Sequence, residues 1–303
     1  MKRHSIIFVL FSMLVTVCVL LTSCNVLFTT SDTGTLTTKD YEFTDFNVVD
    51  IGSNYKVDIE YSDIYSVQVT AHENLLKNVI VTRTGNTLKL GLRWPAISFG
   101  FRSYDLKARI TMPELVKLTL SGASEGKISG FKSTNDFSAR LSGASELELD
   151  METGRFDSVI SGSSEMKANV KSSDTEIRLS GSSDLDLDIT TGNFVLKSSG
   201  ASEAGGYVQA TSTSLHLSGS SSIKLAGSGG DIDISGSGAS SFNLEQYKIV
   251  DVFVELSGAS NAYLEINGEI RGSLSGSSEL IYKGNPILGD SLDIGSASTF
   301  EHR

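Results

Sequence analysis

The residue types able to do chemistry in this chain fall into four groups. Gly122-Ala123-Ser124-Glu125-Gly126 spells the G-x-S-x-G pattern that sets a nucleophilic serine on a sharp turn. Such a serine needs a positioned base, and His72, His216 and His302 lie far apart in sequence. The same three histidines have no cysteine partners and make no zinc pattern. Carboxylates recur more regularly: Glu125, Glu146, Glu165, Asp184 and Glu203 occupy related positions, and Asp184, Asp186 and Asp188 alternate along one short segment. Oxygen clusters of this kind suit a hard cation such as Ca²⁺, and two carboxylates set across a bound sugar suit glycoside hydrolysis. A solvated acidic face, relieved by Lys127, Lys167 and Lys224, is the simpler reading. The glycine-rich Ala226-Gly227-Ser228-Gly229-Gly230 lacks the Lys-Ser/Thr ending of a phosphate loop and reads as a loose turn, so no cofactor or metal is expected. The fourth group is Trp94-Pro95-Ala96-Ile97-Ser98-Phe99-Gly100-Phe101-Arg102-Ser103-Tyr104, which holds the only tryptophan. Exposed, its rings would stack on sugars or a partner surface; buried, they would cover an end of the core. Trp94, Phe99, Phe101 and Tyr104 are the candidate ligand contacts.

What positions these residues is a repeat. The serine of Ser124 is one of nine equivalents, because a Ser-Gly-Ala/Ser-Ser code begins at Ser121, Ser142, Ser161, Ser180, Ser199, Ser218, Ser237, Ser257 and Ser275. A degraded tenth copy lies at 294–298, with Ile294-Gly295 replacing Ser-Gly. A nucleophile must be exceptional, so Ser124 reads as structural. A period near 19 residues is too short for helical-hairpin repeats or propeller blades and fits one coil of a β-solenoid. Counted from the first serine, the sixth and eighth places are mostly apolar and the seventh is polar, as in Leu185-Asp186-Leu187; this is the alternation of a strand with one buried face. A second strand follows a short turn in most repeats, as in 155–160 and 175–179. Ten stacked coils predict a rod on the order of 45 Å long. The glycine suits a tight corner of positive φ, and the small third residue lets corners stack.

The chain opens with Met1-Lys2-Arg3-His4 and an apolar run from Ile6 to Leu21, and reaches Leu21-Thr22-Ser23-Cys24. This reads as an export signal over residues 1–23 with a sequence resembling a bacterial lipobox, so Cys24 is expected to carry a lipid that attaches the chain to a membrane. The only other cysteine, Cys18, leaves with the signal, and no disulfide can staple the mature chain. Loss of Lys2 and Arg3 takes the net charge from −11 to −13. That balance argues against nucleic acid as a partner. Residues 24–40, rich in Thr, Ser and Gly, read as a tether.

Residues 41–119 are strand-rich without the serine-glycine code, and 120–303 form the regular solenoid. The span 44–119 has the length of four further coils, which favours irregular first coils over an antiparallel cap. Glu73-Asn74-Leu75-Leu76-Lys77 reads as one helical turn and Gly85-Asn86 as a hairpin or corner. Prolines occur only at 95, 113 and 286, as expected of strands whose amides are paired on both sides.

The strand-rich opening with Val48-Val49-Asp50-Ile51, Tyr55-Lys56-Val57-Asp58-Ile59 and Glu73-Asn74-Leu75-Leu76, then Met112-Pro113-Glu114-Leu115 leading into Leu120-Ser121-Gly122-Ala123-Ser124, resembles the putative auto-transporter adhesin, head GIN domain family of bacterial envelope proteins. The resemblance runs from about Asp45 onward. It implies an all-β fold, a parallel, right-handed β-helix with coils of about 19 residues, located in the cell envelope. It supplies no catalytic residues. The expected function is therefore a lipid-anchored, non-enzymatic outer-membrane protein whose surface binds a glycan or protein ligand. A carbohydrate-active β-helix enzyme, a carbohydrate-binding protein and a structural envelope spacer are the alternatives.

Overall fold

The computed structural model describes residues 35–93 and 105–303. Twenty-five strands and one helical turn are found among these residues. The N-terminal part contains β1 (Leu36–Tyr41), β2 (Val48–Ile51), β3 (Lys56–Tyr61), β4 (Ser66–His72), α1 (Glu73–Leu76), β5 (Val79–Thr84), β6 (Thr87–Leu92) and β7 (Lys107–Met112). The repeats follow as β8 (Lys117–Leu120), β9 (Glu125–Lys132), β10 (Phe137–Leu141), β11 (Glu146–Glu152), β12 (Arg155–Ile160), β13 (Glu165–Lys171), β14 (Asp174–Leu179), β15 (Asp184–Thr190), β16 (Asn193–Ser198), β17 (Glu203–Gln209) and β18 (Ser212–Leu217). Two long strands, β19 (Ser222–Gly236) and β20 (Ser241–Leu256), precede β21 (Asn261–Ile266), β22 (Glu269–Leu274), β23 (Glu279–Lys283), β24 (Ile287–Ile294) and β25 (Thr299–His302).

Each coil contributes one strand to each of two parallel stacks, the β-solenoid that the 19-residue period predicts. Sheet I runs β3, β9, β11, β13, β15, β17, the first half of β19, the first half of β20, β21, β23 and β25. Sheet II runs β2, β8, β10, β12, β14, β16, β18, the second halves of β19 and β20, β22 and β24. In-register pairing stacks like positions, so the alternating apolar residues form continuous columns between the sheets. Leu147, Leu149, Phe156, Ile160, Leu185, Leu187 and Phe194 are all buried there.

The corners explain the serine-glycine code. All nine code glycines have φ between 71° and 85°. A Cβ on any of them would sit 2.3 to 2.7 Å from the backbone oxygen of the corner below. The next amide bonds to that same oxygen, as in Ala144 N–H to Gly122 O at 2.7 Å and Ser182 N–H to Gly162 O at 2.8 Å. The fourth-place serines point inward and are buried. All but Ser278 donate their hydroxyls to the first-place carbonyl three residues back, at 2.8 Å for Ser183 to Ser180 and 3.0 Å for Ser124 to Ser121. Gly52-Ser53-Asn54-Tyr55 is the first corner of the column, and Ser53 adopts φ 80° without being glycine.

Three expectations need correction. The region 41–119 supplies two coils rather than four: β2–β3, and β6–β7 stacked on its outer side. The remaining strands are antiparallel, β4 on β7, β1 on β4 and β5 on β6, because short hairpin returns such as Gly85-Asn86 reverse the chain where a full coil cannot. The helical turn α1 is present. Secondly, Ala226–Gly230 is not a loose turn but lies inside β19. A Cβ on Gly229 would meet the Tyr247 ring at 2.3 Å, so this glycine makes room for the buried tyrosine. Thirdly, in the tenth corner the hydrogen bonds Gly295 N–H to Leu274 O and Thr299 N–H to Ser278 O put Gly295 in the first place and Ser296 in the glycine column, one residue later than the sequence suggests. The two ends of the rod differ. At one end Leu88, Leu90 and Ile110 are fully buried beneath the antiparallel strands, whereas in the last coil the core-side Leu288 and Ile294 are 50% and 41% exposed.

Stability should rest on the inner columns more than on single corner hydroxyls. Leu187 is flanked in its column by Ala168 and Gly206, which cannot expand into a void. Leu187→Ala is expected to cost about 2 to 5 kcal/mol, toward the upper end, and Ser183→Ala about 1 kcal/mol; urea midpoints that reversed this order would contradict the assignment of faces. A second expectation concerns alkaline pH. Burial pushes the Tyr247 hydroxyl up to about 12, against a partial lowering by its bond with Thr213 at 2.9 Å. The neutral form is thus favoured in the folded state, a contribution fully present below about pH 10 and lost as pH rises through about 12. Melting temperature should fall across that interval, and fall less in Tyr247→Phe.

Candidate functional site

Sheet I presents its outward side chains as columns along the rod. The fifth-place column reads Lys56, Glu125, Glu146, Glu165, Asp184, Glu203, Ser222. Five carboxylates follow one another at the strand spacing of about 4.8 Å. Among the described residues, only the first is in an ion pair, with Lys56 at 2.5 Å from Glu125. Two residues on, the column alternates in sign: Asp58, Lys127, Glu148, Lys167, Asp186, and then Gly205. Lys127 and Glu148 meet at 3.0 Å. The ninth-place column carries Asp150, Asn169, Asp188 and Tyr207, with Asn169 donating to Asp150 at 3.0 Å. Between the last two columns runs a shallow groove lined by Glu148, Asp150, Lys167, Asn169, Asp186 and Asp188. The acidic residues singled out in the sequence therefore do share one face. Among the described residues, however, no three potential ligands converge closely enough to hold a metal ion.

Sheet II carries a different pattern. Glu176, with its side chain 15% exposed, accepts from Arg155 at 2.7 Å, Arg178 at 2.5 Å and Lys197 at 3.2 Å. Arg155 also pairs with Asp157 at 2.8 Å, and the hydrogen bonds and charges of the two carboxylates hold its guanidinium firmly protonated. These pairs tie three neighbouring coils together across the surface.

The remaining candidates divide clearly. Ser124 is buried, and its hydroxyl is spent on the Ser121 carbonyl, so the G-x-S-x-G match is a corner and not a nucleophile. The histidines sit on separate elements: His72 ends β4, His216 lies on the outer face of sheet II, and His302 ends β25 and bonds to the Gly284 carbonyl at 2.7 Å. Sequence reading missed a Ser214–His216 contact of 2.9 Å, made because residues two apart on a strand share a face. The imidazole has no carboxylate partner among the described residues, and the pair lies on an open strand face. Cys24, Trp94, Phe99, Phe101 and Tyr104 lie outside the described residues. The points where the aromatic segment joins the fold are nonetheless fixed. Ile51 and Lys56, five positions apart, pair with Leu90 and Lys107, seventeen positions apart. The chain between these two strands thus has twelve residues more than the corner that links the same strand positions in the neighbouring coil.

Solved structures with the same architecture include a putative lipid binding protein from Parabacteroides distasonis ATCC 8503, with 18% identity and a TM-score of 0.51, over 90% of this chain and 98% of that one. A putative adhesin from the same organism aligns with 15% identity and a TM-score of 0.53, over 90% and 98% of the two chains. At such identities the likeness extends to the fold alone. No curated protein sequence matches. The model of the family described as "Putative auto-transporter adhesin, head GIN domain" matches residues 45–189 and again 175–286, so that both the capped end and the repeats fall within its pattern. Shared by cap and coils alike, that pattern assigns the chain to the head GIN domain family.

Proposed function

We propose that this chain is a cell-envelope protein, anchored by a lipid on Cys24, whose solenoid holds out a surface for adhesion and carries out no catalysis. The observation that carries the reading is the exchange of one closed corner for a segment twelve residues longer, at the coil where the repeat code is absent. The nine corners that carry the code are filled by glycine and buried serine and have no room for a recognition loop. The exchanged segment brings Trp94, Phe99, Phe101 and Tyr104 beside Arg93 and Arg102 in sequence, and large rigid aromatics with arginine are the side chains that dominate binding energy at interfaces. Membership of an adhesin-like family supports an envelope location. The open strand faces, short turns and shallow groove support binding over catalysis, since acid–base chemistry needs walls that exclude water and fix a substrate.

Two measurements test the reading. Cells making the full chain should incorporate labelled palmitate into it, and Cys24→Ala should abolish the label; equal labelling would remove the anchor. Trp94→Ala combined with Phe101→Ala should lower adhesion of cells displaying the chain by about tenfold or more, with the melting temperature of the protein nearly unchanged. A large loss of melting temperature would instead make the aromatics part of the core.

A further inference from the structure

Within sheet I, Gly205 is a glycine that the fold does not require. It is in β17, its φ is not positive, and a Cβ placed on it would approach nothing closer than the Lys224 carbonyl oxygen at 3.5 Å, an ordinary contact. Its neighbour Gly206 is the opposite case: φ is 131° and a Cβ would lie 2.1 Å from the Leu187 carbonyl oxygen. A glycine inside a strand weakens it, and one that packing does not demand marks a place where something approaches the backbone closely. In the neighbouring coils the same outward column carries charged side chains, Lys167, Asp186 and Lys224. At Gly205 the column has a notch.

One wall of the notch is aromatic. Tyr207 occupies an outward position that the strand pattern reserves for polar residues and is 50% exposed. Its neighbours on the outer face are small on two sides, Gly205 along the strand and Ala226 on the next coil, so the ring stands clear of cover. On the preceding coil Asp186 is directly opposite Gly205 and Asp188 directly opposite Tyr207, and Lys224 flanks Gly205 on the following coil. The groove along Lys167 and Asn169 reaches Asp186 and Asp188, the residues that pair with Gly205 and Tyr207.

From this arrangement we infer that the Gly205–Tyr207 notch is a binding site for uncharged hexose units. The apolar C–H face of a pyranose ring packs on the Tyr207 ring. Removal of a side chain at Gly205 lets the sugar reach the strand surface, where its hydroxyls donate to the Asp186 and Asp188 carboxylates and accept from the Lys224 ammonium. Coils repeat about every 4.8 Å, close to the length of one hexose unit, so an oligosaccharide lying along the groove would meet one coil per sugar. Asp186, Asp188 and Glu203 repel uronate and sulfated sugars. The site contains no residue of the aromatic segment 94–104 and stands whether or not that segment mediates adhesion.

Purified full-length chain is titrated with neutral hexose oligosaccharides, with their sulfated counterparts, and with poly-lysine. The expected result is saturable binding of a neutral oligosaccharide, weakened about tenfold in Tyr207→Ala by loss of stacking and abolished in Gly205→Thr, which fills the notch with a strand-favouring side chain. Gly205→Thr should leave the melting temperature equal or raised, a result that a packing role for the glycine would not give. Neutral-sugar binding should persist in the Trp94→Ala, Phe101→Ala protein. The inference is overturned if no neutral oligosaccharide binds, if only poly-lysine binds, or if Gly205→Thr and Tyr207→Ala bind sugar as the wild type does. It is equally overturned if sugar binding is lost only with Trp94 and Phe101, an outcome that would leave the adhesion reading intact.

Discussion

The structure depends on one steric constraint, the approach of each corner's backbone to the next. With 2.3 to 2.7 Å between a would-be Cβ and the oxygen beneath it, the second place of every regular corner admits glycine alone. That oxygen also accepts the following coil's amide, so the hydrogen-bond ladders of the two sheets pass around the bend without a break. Because the corners hold register, inward columns stay apolar and outward columns stay polar over the whole length. The serine beneath each glycine completes the arrangement by satisfying a carbonyl that points into the corner. Substitution at the glycine would therefore disturb the path of two coils, whereas loss of one hydroxyl disturbs a single bond.

How much of this was legible in the sequence depended on repetition. Period, corner identity and inward faces were readable because nine copies repeat the same physical demand. Where a demand occurs once, the sequence offered less. Ser53 adopts the corner conformation without the code, in a coil that the period does not reveal. Gly227, Gly229 and Gly230 look like a flexible turn, but Gly229 makes room for Tyr247, eighteen positions later, while Gly227 and Gly230 have positive φ and lie against the Val208 and Thr211 carbonyls. The slip at Gly295 is invisible until hydrogen bonds define the places. The length of 44–119 suggested four coils because arithmetic carries no direction: antiparallel returns use residues at the same rate as coils.

The candidate surfaces follow the same rule. The acidic column was foreseeable, since fifth places align whenever coils stack. The notch was not: neither an outward tyrosine nor an unforced glycine departs from what a strand can contain. Only the room around Gly205 and the crowding at Gly206 separate an optional glycine from a compulsory one. The two sheets also divide their charge differently, with sheet II locking Glu176 among three cations while sheet I leaves most of its carboxylates facing water.

The capped end is complete by residue 112, before the first regular coil begins. Coils β2–β3 and β6–β7, held by β1, β4 and β5, already offer a finished pair of strand edges onto which β8 and β9 add. Each later coil touches only its neighbours, so a deletion or duplication of one 19-residue unit would rejoin identical corners and leave the cap and its exchanged segment unaltered. Length in this architecture is thus a heritable variable: chains built on the same capped end can differ in the number of coils that follow it.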